Sequence, residues 1–271
     1  MKNRSVKLIS FLLVTAFSFL IVFQGCKKDD DPALEIPPES TFLMDFSDFS
    51  SADDTTNSKG TKSVQTYKNW GHSFVNVAVW STVITVGLAV PVASFREAFN
   101  HGAIYHPDEK NWTWSYNVQV DTTTYEAELT GYVEEESVVW EMRIDDFLWY
   151  YGRSRVDISG GYWILNESKN QTTQLLRIDW NRNSDGTADI TYTNVAPEGS
   201  GFHDNNGGYI SYGITTGEYD RFYDIYNKRA NNLTEIEWNA SDKYGRVRDF
   251  KKFGDMNWHC WDTTLQDSNC Q

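Results

Sequence analysis

Oxygen-bearing side chains alternate before a glycine in one loop, which contains Asn181, Asn183 and Asp185. This spacing is typical of a calcium loop, because Ca²⁺ takes about six to eight oxygen ligands. Asp185 is followed directly by Gly186, however, and Asp-Gly between two alternating segments is also a strong signal for a hairpin turn. Tyr192 occupies the position at which a calcium loop usually carries a glutamate. The sequence therefore favours a turn, with calcium as the alternative.

Two other clusters carry groups that are used in hydrolysis. Ser200, His203 and Asp204 lie close together in a glycine-rich loop, but a nucleophile triad needs groups that converge from separate segments. Residues 134–136 are successive glutamates, and neighbouring side chains of a strand point to opposite faces. The chain has no phosphate-binding glycine loop, no histidine-rich metal motif and no Cys-x-x-Cys pair. No pattern therefore identifies a catalytic residue or a metal site.

Aromatic side chains are the strongest candidates for ligand contact, because the chain contains 11 Trp, 15 Tyr and 15 Phe. Flat rings stack on sugars and cover apolar ligands, but they also fill hydrophobic cores. Rings at inward-facing strand positions are expected in the core, whereas rings on opposite faces or in turns are expected to meet a ligand. The candidate ligand-binding residues of this second kind are Tyr132, Trp149, Tyr150, Tyr151 and Trp163.

The amino-terminal residues have the layout of a secretory signal, with basic residues, an apolar run over residues 8–23 and a small residue before the cleavage point. Cleavage after Gly25 makes Cys26 the new amino terminus, where its thiol can receive acyl chains such as palmitate. The segment resembles the signal of bacterial lipoproteins, and residues 27–31 (Lys-Lys-Asp-Asp-Asp) resemble the surface-export signal of Bacteroidota lipoproteins. The resemblance implies a lipid-anchored outer-membrane protein that is exposed on the cell surface.

The cysteine count supports lipidation. The chain has 3 Cys, and an odd cysteine in an exported protein needs an explanation. If Cys26 carries lipid, Cys260 and Cys270 remain as a disulfide pair, which an oxidising compartment allows. That bond would close a loop of about ten residues and contribute on the order of 2–3 kcal/mol. A plain cleaved signal and an uncleaved anchor helix are the alternatives, although the apolar run is shorter than the ~20 residues that span a bilayer.

The charge of the chain excludes nucleic acid as a partner. The formal net charge is −14, and removal of residues 1–25 takes away three basic and no acidic side chains, which leaves about −17. A protein this acidic repels phosphate backbones and anionic headgroups. Membrane contact is therefore expected through the acyl anchor on Cys26 rather than through a basic surface.

A period of two dominates the chain after residue 105 and predicts β-strands. Trp112, Trp114, Tyr116, Val118 and Val120 alternate with polar residues, which is typical of a strand with one buried face. The same alternation recurs as far as residue 238, and glycine-containing turns separate the segments. Short strands joined by short turns predict an antiparallel meander.

Residues 69–99 differ from the rest of the chain, because no formally charged side chain occurs between Lys68 and Arg96. The length of this run favours a helix over a strand, and Pro91 is expected to kink or end that helix. A helix that is apolar nearly all round is either a core helix or a membrane span. Asn76 and Pro91 interrupt the run and favour the core helix, while a membrane helix and paired strands are the alternatives.

These elements predict a mainly β protein, in which an antiparallel meander forms a barrel or curved half-barrel with one apolar helix packed against it. The predicted organisation is a signal over residues 1–25, a tether with a strand or loop over 26–64, a helical segment over 65–104 and the meander over 105–271. The last two segments are expected to pack as one domain. Alternating Phe42, Met44 and Phe46 predict the short strand within the tether segment.

Three functions are compatible with this sequence. The first is a non-catalytic, lipid-anchored envelope protein that binds an apolar ligand or a glycan, or scaffolds a partner. The second is a secreted glycan hydrolase with dispersed carboxylates. The third is a lipid or lipoprotein carrier, because the predicted fold resembles in outline the lipid-binding half-barrels. We favour the first, and an apolar cavity under the helix would point to the carrier.

Overall fold

Fourteen strands form a single antiparallel sheet, in which each strand pairs with the next one along the chain. The computed structural model describes residues 33–44, 46–50, 66–168, 171–184 and 188–270. The strands are β1 (Ile104–His106), β2 (Asn111–Val120), β3 (Thr123–Glu134), β4 (Ser137–Ile144), β5 (Phe147–Arg155), β6 (Gly160–Ser168), β7 (Gln171–Arg182), β8 (Ala188–Asn194), β9 (Tyr209–Ile214), β10 (Arg221–Asn227), β11 (Asn232–Trp238), β12 (Gly245–Asp249), β13 (His259–Trp261) and β14 (Asp267–Ser268). The helices are α1 (Ser47–Ser50), α2 (Lys68–Gly87), α3 (Ala89–Ala98) and α4 (Phe250–Phe253).

The predicted fold class is confirmed. The protein is mainly β, its sheet is a meander, and helices α2 and α3 pack against that sheet. The first strand and the last strand do not pair with each other, so the sheet is a half-barrel rather than a closed barrel. Contacts group Leu34–Gln271 into one compact unit, whose hydrophobic core draws on the sheet, both helices and residues 36–49.

Tryptophan and glycine alternate across five strands on the face of the sheet that the helices cover, which we call the inner face. The register pairs Trp112 with Gly131, Gly131 with Trp140, Trp140 with Gly152, and Gly152 with Trp163. A Cβ atom on Gly131 would lie 2.7 Å from the ring of Trp140. The missing side chains leave room for the large rings, so this part of the inner face packs densely.

Helices α2 and α3 confirm the predicted apolar helix and its interruption. Their axes differ by 67°, and Leu88 separates them. Pro91 stands in the first turn of α3, where its ring clashes with the carbonyl group four residues earlier and forces a break. Within the part of the chain that the structure describes, no single helix is long and apolar enough to cross a membrane, although this bent pair passes by length and composition.

The prediction of a strand that contains Phe42, Met44 and Phe46 is wrong. Residues 39–41 form a 3-10 turn and α1 follows at Ser47, and residues 42–44 between them belong to no strand. The segment crosses the inner face, where the Phe42 ring stacks 4.8 Å from Phe95 and lies 4.8 Å from Tyr150. Apolar side chains alternate here because they fill gaps between helix and sheet, and no neighbouring strand is involved.

A disulfide joins Cys260 to Cys270, with 5.2 Å between the two Cα atoms, as the cysteine count predicts. The bond fixes the chain end beside β13. Asn69 of α2 also reaches this place, because its Nδ2 donates to the carbonyl of Cys260 at 2.8 Å. Cys26, the predicted lipidation site, lies outside the described residues.

Candidate functional site on the outer face of the sheet

The outer face, opposite the inner face, carries polar and charged side chains in ordered rows. The register places Arg153 beside Tyr162, and Tyr162 beside Asp179, on strands β5 to β7. The guanidinium of Arg177 holds Asp179 through two hydrogen bonds of 2.6 and 2.8 Å and lies 4.2 Å from the centre of the Tyr162 ring. Such paired groups orient one another and give this face a fixed pattern of donors and acceptors.

A groove of about 420 Å³, which we call the outer groove, opens on this face over β5 to β8. Gly160 keeps it open, because a Cβ atom there would lie 2.7 Å from Asn181 Oδ1 and 2.8 Å from Arg155 Nη1. The lining combines guanidinium groups, carboxylates, an amide and the aromatic residues Tyr162 and Trp180. Its main residues are Arg153, Arg155, Tyr162, Asp179, Asn181 and Asp189.

Asp189 is the carboxylate with unused hydrogen-bonding capacity in the outer groove. Burial raises its pKa above the usual range. Its side chain forms no hydrogen bond or ion pair with another described residue, whereas Arg155 donates to Ser159 Oγ and Arg153 pairs with Glu134. A half-buried acceptor without a partner carries a desolvation cost that a hydroxyl-bearing ligand would remove.

The predicted aromatic site divides between the two faces. Tyr132 lies on the outer face, in the row across the strands that also contains Arg153 and Tyr162. Tyr151 also lies on the outer face and accepts a 2.6 Å hydrogen bond from Gln174, at the side of a second groove of about 470 Å³. These two rings lie where a ligand can reach them.

The prediction that Tyr150 and Trp163 contact a ligand is wrong. Both are buried on the inner face, where their rings pack 5.9 Å apart at right angles, so neither ring is available for stacking on a sugar. Trp149 is half-buried against the core, at the place where the register between β4 and β5 shifts. That bulge puts an extra residue into β5 and changes which side chains face inward.

The calcium site considered for the loop after β7 would have few ligands among the described residues. Asn181 ends β7 and lines the outer groove, Asn183 follows the strand, and Asp185 lies outside the described residues. No three His, Cys, Asp or Glu side chains within the described ranges come together in a way that could hold a metal ion. Strands β7 and β8 pair from Arg182 to Ala188, as expected for two strands joined by a hairpin turn.

A pair of carboxylates lies further along the outer face, on neighbouring strands. Asp224 of β10 is directly opposite Glu235 of β11. Burial raises the pKa of Asp224 to about 6, and the nearby negative charges of Glu235 and Glu237 add to that shift. Arg248 holds Glu235 with hydrogen bonds of 2.5 and 2.7 Å, so the two carboxyl groups have different environments.

The largest of the three grooves, about 670 Å³, lies between α3 and the end of β2. Leu43, Val92 and Val118 give it an apolar floor, but Arg96 and Glu97 line it as well. It is open to solvent, and the described residues beneath the helices form a packed core. A lipid carrier needs an enclosed apolar cavity, which this groove does not supply.

Sequence reasoning did not find the outer groove. Gly160 and Gly161 resemble one of the glycine-containing turns in the sequence, but they begin strand β6, where the adjacent Tyr162 lines the groove together with Asp189 of β8. Residues 162–165 are all aromatic or aliphatic, so no alternation marks this strand in the sequence. No family model, curated protein or solved structure matches this chain.

Proposed function

We propose that the protein is a non-catalytic, lipid-anchored protein of the cell envelope whose β domain binds a glycan in the outer groove. The observation that carries this proposal is the contrast between a filled inner face and an outer face with an open polar groove. Glycan hydroxyl groups both donate and accept hydrogen bonds. The outer groove offers both kinds of partner around the ring of Tyr162.

The chemistry of the outer groove favours a glycan over an apolar ligand. Arg153 and Arg155 supply donors, while Asp179, Asn181 and Asp189 supply acceptors. Tyr162 adds an apolar ring edge next to these groups, and the face of that ring is already held by Arg177. An apolar ligand would exclude water from these five polar side chains and would leave the carboxylate of Asp189 without a hydrogen-bond partner, which is unfavourable.

Anchoring is supported by the sequence alone. The signal-like segment ends at Gly25, and Cys260 and Cys270 pair with each other, which leaves Cys26 as the single unpaired cysteine. We infer that acyl chains on Cys26 hold the protein in the outer membrane, with the β domain at the cell surface. Mass spectrometry of the mature amino terminus tests this step, and an unmodified Cys26 would contradict it. Protease treatment of intact cells tests surface exposure, and a protected β domain would contradict that part.

Binding is tested on a glycan array with the mature chain that carries Cys26→Ser, followed by calorimetric titration of the glycans that bind. We expect Tyr162→Ala and Asp189→Ala each to weaken binding about tenfold or more, since each removes ~1.4 kcal/mol or more of contact. Tyr209→Ala is the matched control, because this half-buried tyrosine lies on the outer face away from the groove. Binding that survives at Tyr162→Ala but is lost at Tyr209→Ala would place the site elsewhere.

A glycan hydrolase is the second candidate, and the pair Asp224 and Glu235 favours it. Residues directly opposite each other on antiparallel strands have Cβ atoms about 4.5–5.5 Å apart, which suits the carboxyl spacing of a retaining glycosidase. A carboxyl group with a pKa of about 6 can act as the acid, and an ionised neighbour can act as the nucleophile. Release of reducing sugar that disappears in Asp224→Asn would support this candidate over simple binding.

A further inference from the structure

Helix α2 exposes an apolar stripe made of Val75, Val79 and Val83. Their side chains are 61%, 60% and 49% exposed, and their spacing of four residues puts them on one side of the helix. The solvent side of a helix is normally polar. Because no charged residue occurs between Lys68 and Arg96, nothing interrupts this stripe. Exposed apolar patches of this kind mark interaction surfaces.

Four cationic side chains lie on two segments that are hydrogen-bonded to each other, and we call them the cationic corner. They are Lys228 and Arg229 in the turn after β10, and Lys251 and Lys252 in α4; all are exposed. Lys251 Nζ donates to the carbonyl of Ala230, which joins the turn to the helix.

Helix α4 connects the cationic corner to the apolar stripe. The ring of His72 in α2 lies 5.8 Å from that of Phe253, and His72 Nε2 is 2.8 Å from Asp249 Oδ2. Phe250 of α4 is 56% exposed and directly precedes the two lysines in the chain. The contacts of His72 with Phe253 and Asp249 therefore bring the amino-terminal end of the stripe, which begins at Val75, next to α4 of the cationic corner.

The charges of the cationic corner are largely unneutralised. In the described part of the chain, the carboxylate that approaches them is Asp204, 3.7 Å from Arg229, and the three lysines have no ion pair. Elsewhere on the sheet, arginines such as Arg246 and Arg248 pair with carboxylates at 2.5 Å. A chain with a net charge of −14 thus keeps one locally positive surface.

We propose that the apolar stripe and the cationic corner together dock the protein on an anionic lipid bilayer. Valine and phenylalanine side chains enter the interface between headgroups and acyl chains, while lysines attract the headgroup phosphates. The negative charges elsewhere do not prevent this contact, because salt screens charges beyond about 10 Å. Net charge averages over the whole chain, so it does not reveal a local surface of this kind.

This docking goes beyond glycan binding and is independent of lipidation. A surface contact would add to an acyl anchor, since stable membrane attachment usually needs two signals. It would also fix the orientation of the sheet relative to the bilayer, with the turns after β10 and β12 toward the lipid.

The test is co-sedimentation of the mature Cys26→Ser chain with phosphatidylcholine vesicles that contain or lack phosphatidylglycerol. We expect binding to the anionic vesicles alone, and a decrease when salt is raised. The double variant Lys251→Glu with Lys252→Glu should weaken binding about tenfold or more, because each surface lysine contributes about 1 kcal/mol. Val79→Glu should weaken it by a similar factor through lost apolar contact.

Lys110→Glu and Val133→Asp are the matched controls, since they change an exposed lysine and an exposed valine at the opposite end of the strands. Both should bind vesicles like the parent chain. The proposal would be overturned if the parent chain failed to bind anionic vesicles. It would also be overturned if the Lys251/Lys252 and Val79 variants bound these vesicles as tightly as the parent chain does. A third contradicting result would be a dimer that the parent chain forms in the absence of vesicles and that Val79→Glu dissociates. A second copy of the chain, and not a bilayer, would then cover the stripe. Glycan binding and lipidation do not enter this measurement, so its failure leaves them intact.

Discussion

The inner and outer faces of the sheet are built from alternate residues of the same strands, yet they serve different purposes. The inner face is covered by helices and by the segment around Phe42, and its alternating Trp and Gly rows fill the space between them. The outer face keeps its arginines and carboxylates in hydrogen-bonded pairs around open grooves. The inner side of this half-barrel is filled by the protein's own chain, whereas the outer face stays open to solvent.

Two aspartates show the same contrast in their ionisation. Asp249 lies on the inner face; burial acts to raise its pKa, but hydrogen bonds from Thr234, Asn232 and His72 lower it below the usual range. Asp224 lies on the outer face without such donors, and burial beside Glu235 raises its pKa to about 6. Hydrogen bonding therefore decides whether a carboxylate that is withdrawn from water stabilises or destabilises this fold.

Phe42→Ala should have the largest effect on the inner face. The side chain is buried among Phe95, Tyr150 and Trp163, so its removal leaves a cavity and should cost about 3–5 kcal/mol of unfolding free energy. Urea denaturation measures the change. Phe202→Ala is the control, because this ring is 52% exposed and its loss should change stability by less than about 0.5 kcal/mol. Equal losses of unfolding free energy in both variants would contradict the description of Phe42 as packed in the core and Phe202 as exposed in a surface loop.

Gly152→Ala tests whether the glycines of the inner face are needed for the large rings. A Cβ atom would lie 2.2 Å from the carbonyl oxygen of Tyr162 and 2.7 Å from the ring of Trp163, so the sheet must shift. Overpacking of this kind costs about 1–3 kcal/mol. Gly102→Ala has open space around the new methyl group and should not destabilise the protein. A neutral Gly152→Ala in thermal denaturation would contradict the proposed packing.

Asp224→Asn should stabilise the protein at neutral pH. The raised pKa of Asp224 means that the fold favours the protonated form, so its contribution is complete below pH ~4 and is lost as pH rises through about 6. The gain at pH 7 should be about 1 kcal/mol after allowance for solvent screening. Melting temperatures at pH 4 and pH 7 measure it, and the gain should vanish at the lower pH.

Asp249→Asn is the matched variant with the opposite sign. Its lowered pKa means that the carboxylate stabilises the fold above pH ~4 and loses this effect as pH falls through the folded-state pKa. The substitution should therefore destabilise the protein at pH 7, and by progressively less as the pH falls below about 4. Two aspartate variants that respond to pH in the same direction would contradict the assigned environments.

The sequence predicted the strands that have one regular face. Trp112, Trp114, Tyr116 and Val118 are buried as their alternation requires, and the helices break next to Pro91. Periodicity is informative here because one face of each strand meets the core and the other meets solvent.

Three features could not be predicted, each for a local reason. The bulge between β4 and β5 shifts the alternation of inward-facing and outward-facing side chains along β5. Tyr150 therefore faces inward, although the alternation of its neighbours predicts an outward-facing side chain. Glycines that make room for rings in β5 and β6 look like turn residues in the sequence. The Phe42 segment alternates without being a strand, because contacts with Phe95 and Tyr192 decide its path. Tertiary packing overrides local pattern in all three places.

The most direct test of the contrast between the faces is hydroxyl-radical footprinting of the mature Cys26→Ser chain, with and without a glycan that binds it. The account predicts that Tyr132 and Tyr162 are labelled in the free protein and protected in the complex. Tyr150 and Trp163 should stay unlabelled in both states, because they are buried. Protection confined to Leu43 and Val92 in the groove beside α3, with Tyr162 unchanged, would contradict the account.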